Sequence, residues 1–508
     1  MWSDHDDLYP RLMRVLRVVL VAAAVAAFGV GCGTEAKKDG ASPPIAWHAC
    51  AEKQWGAAVQ CADIEVPLDW DKPDGDKITV GINRLPASDS ARRIGAVVFE
   101  PGGPGGAGST MVAAESMFSG VFPAEVRARF DLIGFDPRGV GTSKPAVRCD
   151  PELANRRPDA FVADQAGYDA LVAANKAFGA SCQKLTGPLL DHLDSVAVAR
   201  DLEVVRQRLD AGPLNYIGLS YGTEIGFEYA RLFPANSRAL VLDGALVHSL
   251  PPSAMHVYET AAFENSIRRF AEWCRATADC ALGGDDAAAV VRDLAASARR
   301  APLPAPECAA SKACAPEVRP AELLHNIQGS LLFKAPIGKL APGWADLATA
   351  LDRARKGDAS ELSPRTMTET RAAGLAAACT EFRADFAGYP GFKAQQLLTA
   401  ALAPNTLGGN ETFGYLAQCE GWPAAFSNPP HTATVRPTIT PLIIGATNDP
   451  STAYGWAQLM ATQMPNAVLL TREGDGHTSF LIPGQTSRAI VDYLIDGTVP
   501  AAGTVLPD

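Results

Sequence analysis

The sequence lacks the features that mark several common classes of protein. It has no Cys-x-x-Cys pair, which argues against a zinc motif or a thioredoxin-type redox site. The body of the chain has no basic run and the formal net charge is −11, so nucleic acid is not an expected partner. The N-terminal apolar run, residues 18–30, is shorter than the ~20 residues that a membrane-spanning helix needs. No internal repeat is visible, and no metal or organic cofactor is implied.

The N-terminus has the organisation of an export signal. Three arginines, at positions 11, 14 and 17, precede the apolar run, which predicts a signal peptide over residues 1–31. The run ends in a small residue directly before Cys32, a pattern that resembles a bacterial lipobox and predicts lipidation of Cys32; an ordinary cleaved signal is the alternative. The acidic residues before Met13 are atypical of a signal, so Met13 is a candidate start. A polar linker, residues 32–44, leads to the folded part.

The number and spacing of the cysteines also indicate export. The chain has eleven cysteines, and ten remain after Cys32. Neighbouring cysteines suggest four disulfides and leave a fifth, long-range pair: Cys50 with Cys61, Cys149 with Cys182, Cys274 with Cys280, Cys308 with Cys314, and Cys379 with Cys419. Disulfides persist in oxidising compartments. We therefore expect an exported protein of the cell envelope or the exterior, held at the outer face of the cytoplasmic membrane through a lipid on Cys32.

The stretch 214–222 predicts a nucleophile. It begins as a short apolar strand, breaks at Gly218, carries Ser220 into a turn and continues after Gly222 with the pattern of a helix. Gly-x-Ser-x-Gly between a strand and a helix is typical of a nucleophile elbow, in which small neighbours permit a strained turn. The helix that follows presents its positive end to the serine. The alternative is a glycine-rich turn whose serine only caps the helix.

A glycine-rich turn precedes this stretch. The apolar run 95–99 has the continuous character of a central parallel strand, and it leads into Pro-Gly-Gly-Pro-Gly-Gly at 101–106. Such a turn leaves backbone N–H groups free to bind an oxyanion, together with the N–H of the residue after the nucleophile. We assign these roles to Gly103 and Tyr221, with Gly102 as the alternate. A phosphate-binding loop is disfavoured because no Lys-Ser or Lys-Thr follows.

Two further side chains complete a catalytic pattern near the C-terminus. Asp449 follows the strand that ends at Gly445, and His477 follows the next strand in a glycine-flanked loop. The order Ser, Asp, His is that of α/β-hydrolases. Ser220 would attack, His477 would transfer the proton and Asp449 would orient the imidazole. Asp243 and Asp475 are the alternative acids.

The pattern of strands and helices predicts an α/β-hydrolase fold, with a mostly parallel sheet flanked by helices. The sheet pattern occupies residues 45–245 and resumes over residues 436–508. Between them, residues 246–435 are alanine-rich and helical, which predicts a large helical cap. Residues 145–190 are interpreted as a loop-rich excursion. Asp136 and Arg138 are interpreted as a local structural pair.

These motifs together resemble the secreted tripeptidyl aminopeptidase-type α/β-hydrolases of actinobacteria, which are related to prolyl aminopeptidases. The resemblance spans residues 45–508 and is carried by motifs at 101–105, 135–139, 218–222, 419–423, 445–449 and 476–478. It implies cleavage of peptides from a free N-terminus, beneath a helical cap. A carboxylic ester hydrolase stays open, because the same triad serves both reactions. A non-catalytic binding lipoprotein that keeps the fold is the alternative of a different class.

An aminopeptidase must recognise a protonated amine, and a buried ammonium is costly unless it meets a carboxylate. Glu381 and Glu420 are the candidates, because each follows a cysteine of the predicted long-range disulfide. The family resemblance also implies an acid at the position of Glu381. The alternative is that both glutamates are ordinary solvated side chains.

Overall fold

The computed structural model describes residues 45–508, apart from positions 211, 279, 339–340 and 369–371. The predicted signal peptide, the candidate start at Met13, the linker and the predicted lipidation site Cys32 therefore lie outside the described residues. 

A ten-stranded sheet forms the centre of the described chain, in the order β1-β2-β3-β5-β4-β6-β7-β10-β11-β12. The pairs β1–β2, β2–β3 and β3–β5 are antiparallel, and the other pairs of this sheet are parallel. The strands are β1 (His48–Ala49), β2 (Gln60–Pro67), β3 (Lys77–Leu85), β4 (Gly95–Glu100), β5 (Phe130–Phe135), β6 (Leu214–Leu219), β7 (Ser237–Asp243), β8 (Leu303–Pro304), β9 (Glu317–Val318), β10 (Leu442–Asn448), β11 (Val468–Asp475) and β12 (Val505–Pro507).

The central strands are apolar because helices cover both faces of the sheet. Every residue of β4, β5 and β6 is buried. Parallel strands of this kind have continuous apolar runs rather than an alternation of apolar and polar residues. The predicted mostly parallel α/β sheet is confirmed.

Sixteen α-helices are described, and none of them is long and apolar enough to cross a membrane. They are α1 (Gly108–Phe118), α2 (Ala124–Arg129), α3 (Pro151–Ala154), α4 (Gln165–Thr186), α5 (Ser195–Leu209), α6 (Tyr221–Leu232), α7 (Pro252–Ala276), α8 (Ala287–Arg300), α9 (Pro306–Ser311), α10 (Pro320–Ser330), α11 (Trp344–Arg355), α12 (Ala373–Glu381), α13 (Gly388–Leu402), α14 (Glu411–Gln418), α15 (Tyr454–Gln463) and α16 (Gln485–Asp496).

Helix α4 corrects the interpretation of residues 145–190 as loop-rich. It has 22 residues, with an Asp164 side chain that accepts the N–H of Gly167 at its start. Tyr168, Leu171 and Phe178 lie at helical spacing on its buried face. The glycines and lysines interleaved among these residues concealed the pattern in the sequence.

The segment between β7 and β10 is helical in its described part and contributes no strand to the large sheet. Its only strands there, β8 and β9, form a separate two-stranded ribbon. The helices bury an apolar cluster that includes Phe263, Phe270 and Trp344. These side chains explain why the segment folds without the sheet.

All five predicted disulfides are confirmed, with Cα–Cα distances of 4.1–5.3 Å. Cys379 and Cys419 join the C-terminal part of α12 to the residue that follows α14. This bond connects two helices that both contribute residues near Ser220, as described below.

Complete pairing predicts that the protein purified from culture medium or the cell envelope has no free thiol among these ten cysteines. A thiol assay in denaturant should report fewer than one thiol per chain, and the same assay after reduction should report ten. Two or more free thiols per chain before reduction would contradict the pairing.

Candidate active site

Ser220 lies between β6 and α6 in a conformation that few residues adopt. Its φ is 55° and its ψ is −124°, outside the regions that non-glycine residues normally occupy. The Ser220 N–H donates to the carbonyl of Asp243 at 2.9 Å, and its carbonyl accepts the N–H of Thr223 at 2.9 Å. These backbone bonds hold the strained turn in place.

The glycines on either side of Ser220 are required by close approach. A Cβ on Gly222 would lie 2.2 Å from Oε2 of Glu100, and a Cβ on Gly218 would lie 2.3 Å from the carbonyl oxygen of Gly222. Any larger residue would force the turn open. This geometry is the one that a nucleophile elbow needs.

Asp449 and His477 lie together in the loops after β10 and β11. Oδ2 of Asp449 is 2.7 Å from Nδ1 of His477, and both side chains are buried. The N–H groups of Ser451 and Thr452 each donate to Oδ1 of Asp449 at 2.9 Å, and the Thr452 hydroxyl donates to Oδ2 at 2.9 Å. The carboxylate is therefore held at a fixed angle to the imidazole.

The surroundings of His477 favour its protonated form. Burial lowers the pKa of the imidazole, but the charge and hydrogen bond of Asp449 raise it, with further contributions from Asp243 and Glu411. The pKa of His477 consequently lies above its ordinary value. An imidazole in this setting is stabilised as it accepts a proton.

The two alternative acids contact other groups. Oδ2 of Asp243 accepts the N–H groups of Ser479 and Phe480, both at 2.7 Å, and so fixes the loop after His477. Asp475 forms ion pairs with Arg269 at 2.7 Å and Lys334 at 3.0 Å. Asp449 is the acid that the structure brings to the imidazole.

The glycine-rich turn after β4 lies against the nucleophile. A Cβ on Gly102 would lie 2.8 Å from the Cβ of Ser220. The Gly102 N–H donates to Oε2 of Glu100 at 2.9 Å and is thus engaged. Among the described residues, the N–H groups of Gly103 and Tyr221 have no acceptor. This difference favours Gly103 over the alternate, Gly102, as an oxyanion donor.

A pocket of about 400 Å³, its open mouth included, begins at Ser220 and Gly103. Its apolar side chains are Leu246, Met255, Phe382 and Trp456. Its acidic side chains are Glu259 and Glu411, from α7 and the start of α14. In the described part of the chain, no group of three or more His, Cys, Asp or Glu side chains could hold a metal ion.

The two pocket glutamates differ in how many hydrogen bonds their carboxyl groups accept. Buried Glu259 accepts hydrogen bonds from the N–H and the hydroxyl of Thr412, from the N–H of Glu411 and from Gln328. Burial, and then the neighbouring charge of Glu411, raise the pKa of Glu259. Glu411 is half-buried and accepts from the hydroxyls of Tyr415 at 2.9 Å and Ser451 at 3.1 Å. A cation entering the pocket would therefore meet the Glu411 carboxylate, with the buried carboxyl group of Glu259 beside it.

Glu381 and Glu420 do not line this pocket, which corrects their predicted role. The Glu381 carboxylate is fully buried and accepts hydrogen bonds from Ser195, Asn428 and Tyr221. Glu420 accepts the hydroxyl of Tyr168 at 2.8 Å, outside the pocket. The long-range disulfide forms as predicted, but both side chains lie outside the pocket at Ser220.

Sequence reasoning missed Glu259 and Glu411. Glu411 begins a helix whose preceding residue, Asn410, caps it by accepting the N–H of Phe413. An Asn-Glu-Thr start of this kind was visible in the sequence. No sequence signal showed that the start of this helix lies in the same pocket as Ser220, because the two positions are separated by nearly two hundred residues.

Asp136 and Arg138 do not form the predicted local pair. Arg138 instead binds Asp201 of α5 through two hydrogen bonds of 2.6 and 2.8 Å, and both side chains are buried. Asp136 accepts the N–H groups of Ser109 and Thr142. Both residues are structural, but each fixes a different neighbour.

Two family models match the chain. Residues 95–311 match the model described as alpha/beta hydrolase fold, and residues 406–506 match the model described as TAP-like protein. The chain is 30% identical over 531 residues to the serine protease Hip1 of Mycobacterium tuberculosis, covering 97% of this chain and 98% of that protein.

Two other relatives are named for different activities. The chain is 32% identical over 329 residues to the tripeptidyl aminopeptidase of Streptomyces coelicolor, covering 63% of this chain and 57% of that protein. It is 29% identical over 486 residues to carboxylesterase B of Mycobacterium tuberculosis, covering 90% of this chain and 89% of that protein.

The fold and the comparisons define a serine hydrolase of the α/β-hydrolase class. Within that class, the chain belongs to the tripeptidyl aminopeptidase-like family of serine peptidases, which the match along nearly the whole length of Hip1 shows. The resemblance inferred from the motifs is thereby confirmed.

Proposed function

We propose that this protein is an exported aminopeptidase that releases amino acids or short peptides from the free N-terminus of a peptide. The observation that carries the proposal is the presence of Glu259 and Glu411 in the same pocket as Ser220. A pocket with carboxyl groups near the nucleophile suits a substrate whose chain ends in an ammonium group.

Ser220 is the proposed nucleophile. Asp449 accepts the Nδ1 proton of His477, so Nε2 of the imidazole takes the proton of the attacking hydroxyl. The N–H groups of Gly103 and Tyr221 stabilise the oxyanion. His477 then donates the proton to the leaving amine, and water hydrolyses the acyl-enzyme by the same steps in reverse order.

Glu411 is the proposed partner of the substrate's ammonium group. Its carboxylate is half-buried, and within the described part of the chain it is bound by two hydroxyl groups, which can turn to accept from a new donor. The apolar wall of Met255, Phe382 and Trp456 reduces access of water and so strengthens the ion pair. A peptide with a blocked N-terminus would leave this carboxylate without a partner.

Glu411→Gln should lower kcat/KM on peptides with a free amine by roughly 10–100-fold, the cost of a charge-assisted hydrogen bond. It should leave hydrolysis of an N-acetylated peptide and of a nitrophenyl ester nearly unchanged. The measurement is kcat/KM on matched p-nitroanilides with and without an N-acetyl group.

Glu420→Gln is the matched control, because Glu420 lies just after the helix that Glu411 begins, α14, but outside the pocket. It should retain the wild-type preference. Equal losses on the free and the blocked substrates in Glu411→Gln would contradict recognition of the amine by Glu411.

A carboxylic ester hydrolase is the second candidate. The apolar side chains of the pocket and the relative named carboxylesterase B favour it. Wild-type enzyme that cleaves short-chain esters but none of a panel of aminoacyl and tripeptidyl amides would establish this alternative.

The proposal includes export and the division of the chain. Five disulfides support folding in an oxidising compartment. We assign residues 45–245 and 436–508 to the catalytic core and residues 246–435 to the cap that contributes the glutamates. Residues 1–31 are the proposed signal peptide, and a lipid on Cys32 is the proposed anchor.

A further inference from the structure

Glu381 is a buried carboxylate that the proposed mechanism does not use. It is the last residue of α12 and is fully buried. Its Oε2 accepts the hydroxyl of Tyr221 at 2.6 Å. Its Oε1 accepts the N–H and hydroxyl of Ser195 at 2.8 and 2.6 Å, and Nδ2 of Asn428 at 2.8 Å. Four donors thus converge on one carboxylate from three other segments.

Such a carboxylate fixes its neighbours because no solvent can replace them. A buried charge requires several hydrogen-bond donors. When one donor is lost, the carboxylate and the remaining donors no longer keep the same arrangement. Ser195 and Tyr221 are the first residues of α5 and α6. Glu381 therefore ties together the beginnings of two helices, and one of them begins at the proposed oxyanion donor.

The opposite end of α12 contacts the other side of the oxyanion site. A Cβ on Gly374, in the first turn of the helix, would lie 2.3 Å from the carbonyl oxygen of Pro104. A Cβ on Gly105 would lie 2.6 Å from the Cα of Gly374. The helix thus packs backbone to backbone on the loop that carries Gly103.

We propose that Glu381 is a positioning residue for the oxyanion hole, acting through Tyr221. Helix α12 contacts the Gly103 loop at its beginning and holds Tyr221 at its end, so it sets the distance between the two N–H donors. Oxyanion donors act only when they lie about 2.7–3.1 Å from the developing charge. The inference rests on the proposed use of Ser220 and of these donors, but it does not depend on whether the substrate is an amide or an ester.

Tyr221→Phe tests the inference, because it removes one hydroxyl and keeps the ring, which packs edge-on against Phe382. We expect kcat to fall about tenfold, with KM changed less than twofold, on a free-amine peptide and on a nitrophenyl ester alike; displacement of a catalytic group by ~1 Å can have such an effect. The affinity for a boronate inhibitor that mimics the tetrahedral intermediate should fall by the same factor.

Tyr229→Phe is the matched control. Tyr229 is a buried tyrosine of the same helix whose hydroxyl donates to Glu203 at 2.7 Å, away from the turn that begins at Ser220. It removes an equivalent tyrosine–glutamate hydrogen bond, and its kcat should stay within twofold of wild type. A wild-type kcat in Tyr221→Phe, or a change confined to KM or Tm, would overturn the inference.

Glu381 itself can be examined by a conservative and a disruptive change. In Glu381→Gln the amide oxygen can still accept from Ser195 and Asn428, while the amide nitrogen donates to the Tyr221 hydroxyl, so kcat should stay within about threefold of wild type. Glu381→Ala should lose at least as much kcat as Tyr221→Phe, and the double variant should lose no more than Glu381→Ala alone.

The ester substrate separates this inference from the aminopeptidase proposal. If recognition of the amine by Glu411 fails but Tyr221→Phe still lowers kcat on the ester, only the proposed substrate is wrong. If Tyr221→Phe and Tyr229→Phe both keep the wild-type rate on the ester, the positioning role is wrong. An Ala variant that does not fold leaves Tyr221→Phe as the deciding measurement.

Discussion

Replacement of Ser220 by alanine is expected to lower kcat by roughly 10⁶-fold, the usual cost of removing the nucleophile of a catalytic triad. Alanine has the same Cβ as serine, so the strained turn with φ of 55° should form equally well. The neighbouring glycines, which leave room for the turn, are untouched. Only the hydroxyl is lost. The measurement is kcat on a peptide p-nitroanilide together with labelling by a fluorophosphonate probe, which should disappear.

Ser237→Ala is the control for this experiment. Ser237 is buried at the start of β7, and its hydroxyl has no hydrogen-bond partner among the described residues. It should keep wild-type turnover and labelling. Ser220→Ala can keep a residual rate of hydrolysis about 10³–10⁴-fold above the rate in water, because the oxyanion hole and substrate binding still act without the nucleophile. Turnover at the wild-type rate would show that Ser220 is not the nucleophile.

Features that depend on local periodicity were predictable from the sequence. Helix α5, Ser195–Leu209, has apolar residues that recur on one face, and this periodicity indicates a helix from the sequence alone. Strand β5, Phe130–Phe135, is recognisable in the same way, because its residues other than Asp131 are apolar or glycine. The order of Ser220, Asp449 and His477 along the chain was visible because each follows its own strand.

Features that depend on distant segments were not predictable in the same way. Glu259 and Glu411 reach the pocket from two helices of a segment whose packing no local pattern specifies. Glu381 has the sequence context of a solvated helix end, yet it meets donors from Ser195 and Asn428 that lie far away in the chain. The sequence analysis expected a carboxylate for the substrate amine at Glu381 or Glu420, and neither of these residues lines the pocket at Ser220. Strand β12 escaped notice because it has only three residues and follows no buried run.

The burial of an acid alone does not reveal its role in this protein. Glu381 and Glu259 are both inaccessible, and both accept several hydrogen bonds. What separates them is the pocket: Glu259 has a second carboxylate, Glu411, beside it and space for a ligand, whereas Glu381 is enclosed by protein donors. Because Glu411 and Glu259 repel each other when both are charged, a positively charged group of a substrate would be stabilised between them. The Glu381 carboxylate is already stabilised by its protein donors and does not need a cation from a substrate.

Asp449→Asn is expected to lower kcat by about 10⁴-fold at neutral pH. The Asn amide can donate a hydrogen bond to Nδ1 of His477, which would favour the tautomer that has its proton on Nε2 and cannot accept the proton of Ser220. The fold should persist, because the amide oxygen can still accept the N–H groups of Ser451 and Thr452. The measurements are kcat on the same peptide p-nitroanilide, and Tm to show that the fold is kept.

The pH dependence of this variant gives a sharper result than its rate. In the wild type, neutral His477 is the base, so kcat/KM rises with pH through the pKa of the imidazole. Although burial lowers that pKa, the charge of Asp449 outweighs it and raises the pKa above its ordinary value. Removal of the charge should therefore shift the midpoint of the acid limb to lower pH. An ester without an amine is the suitable substrate, because the amine of a peptide titrates near pH 8.

Asp475→Asn is the control for the effect of charge in the same loop. Asp475 is two residues from His477, but its carboxylate pairs with Arg269 at 2.7 Å and Lys334 at 3.0 Å rather than with the imidazole. Its acid limb should keep the wild-type midpoint, and its kcat should change by much less than that of Asp449→Asn. If the two variants showed the same midpoint, or if Asp475→Asn had the larger loss, Asp449 would not be the acid that orients His477. The hydrogen bond of 2.7 Å between Asp449 and Nδ1 would then have a structural role only.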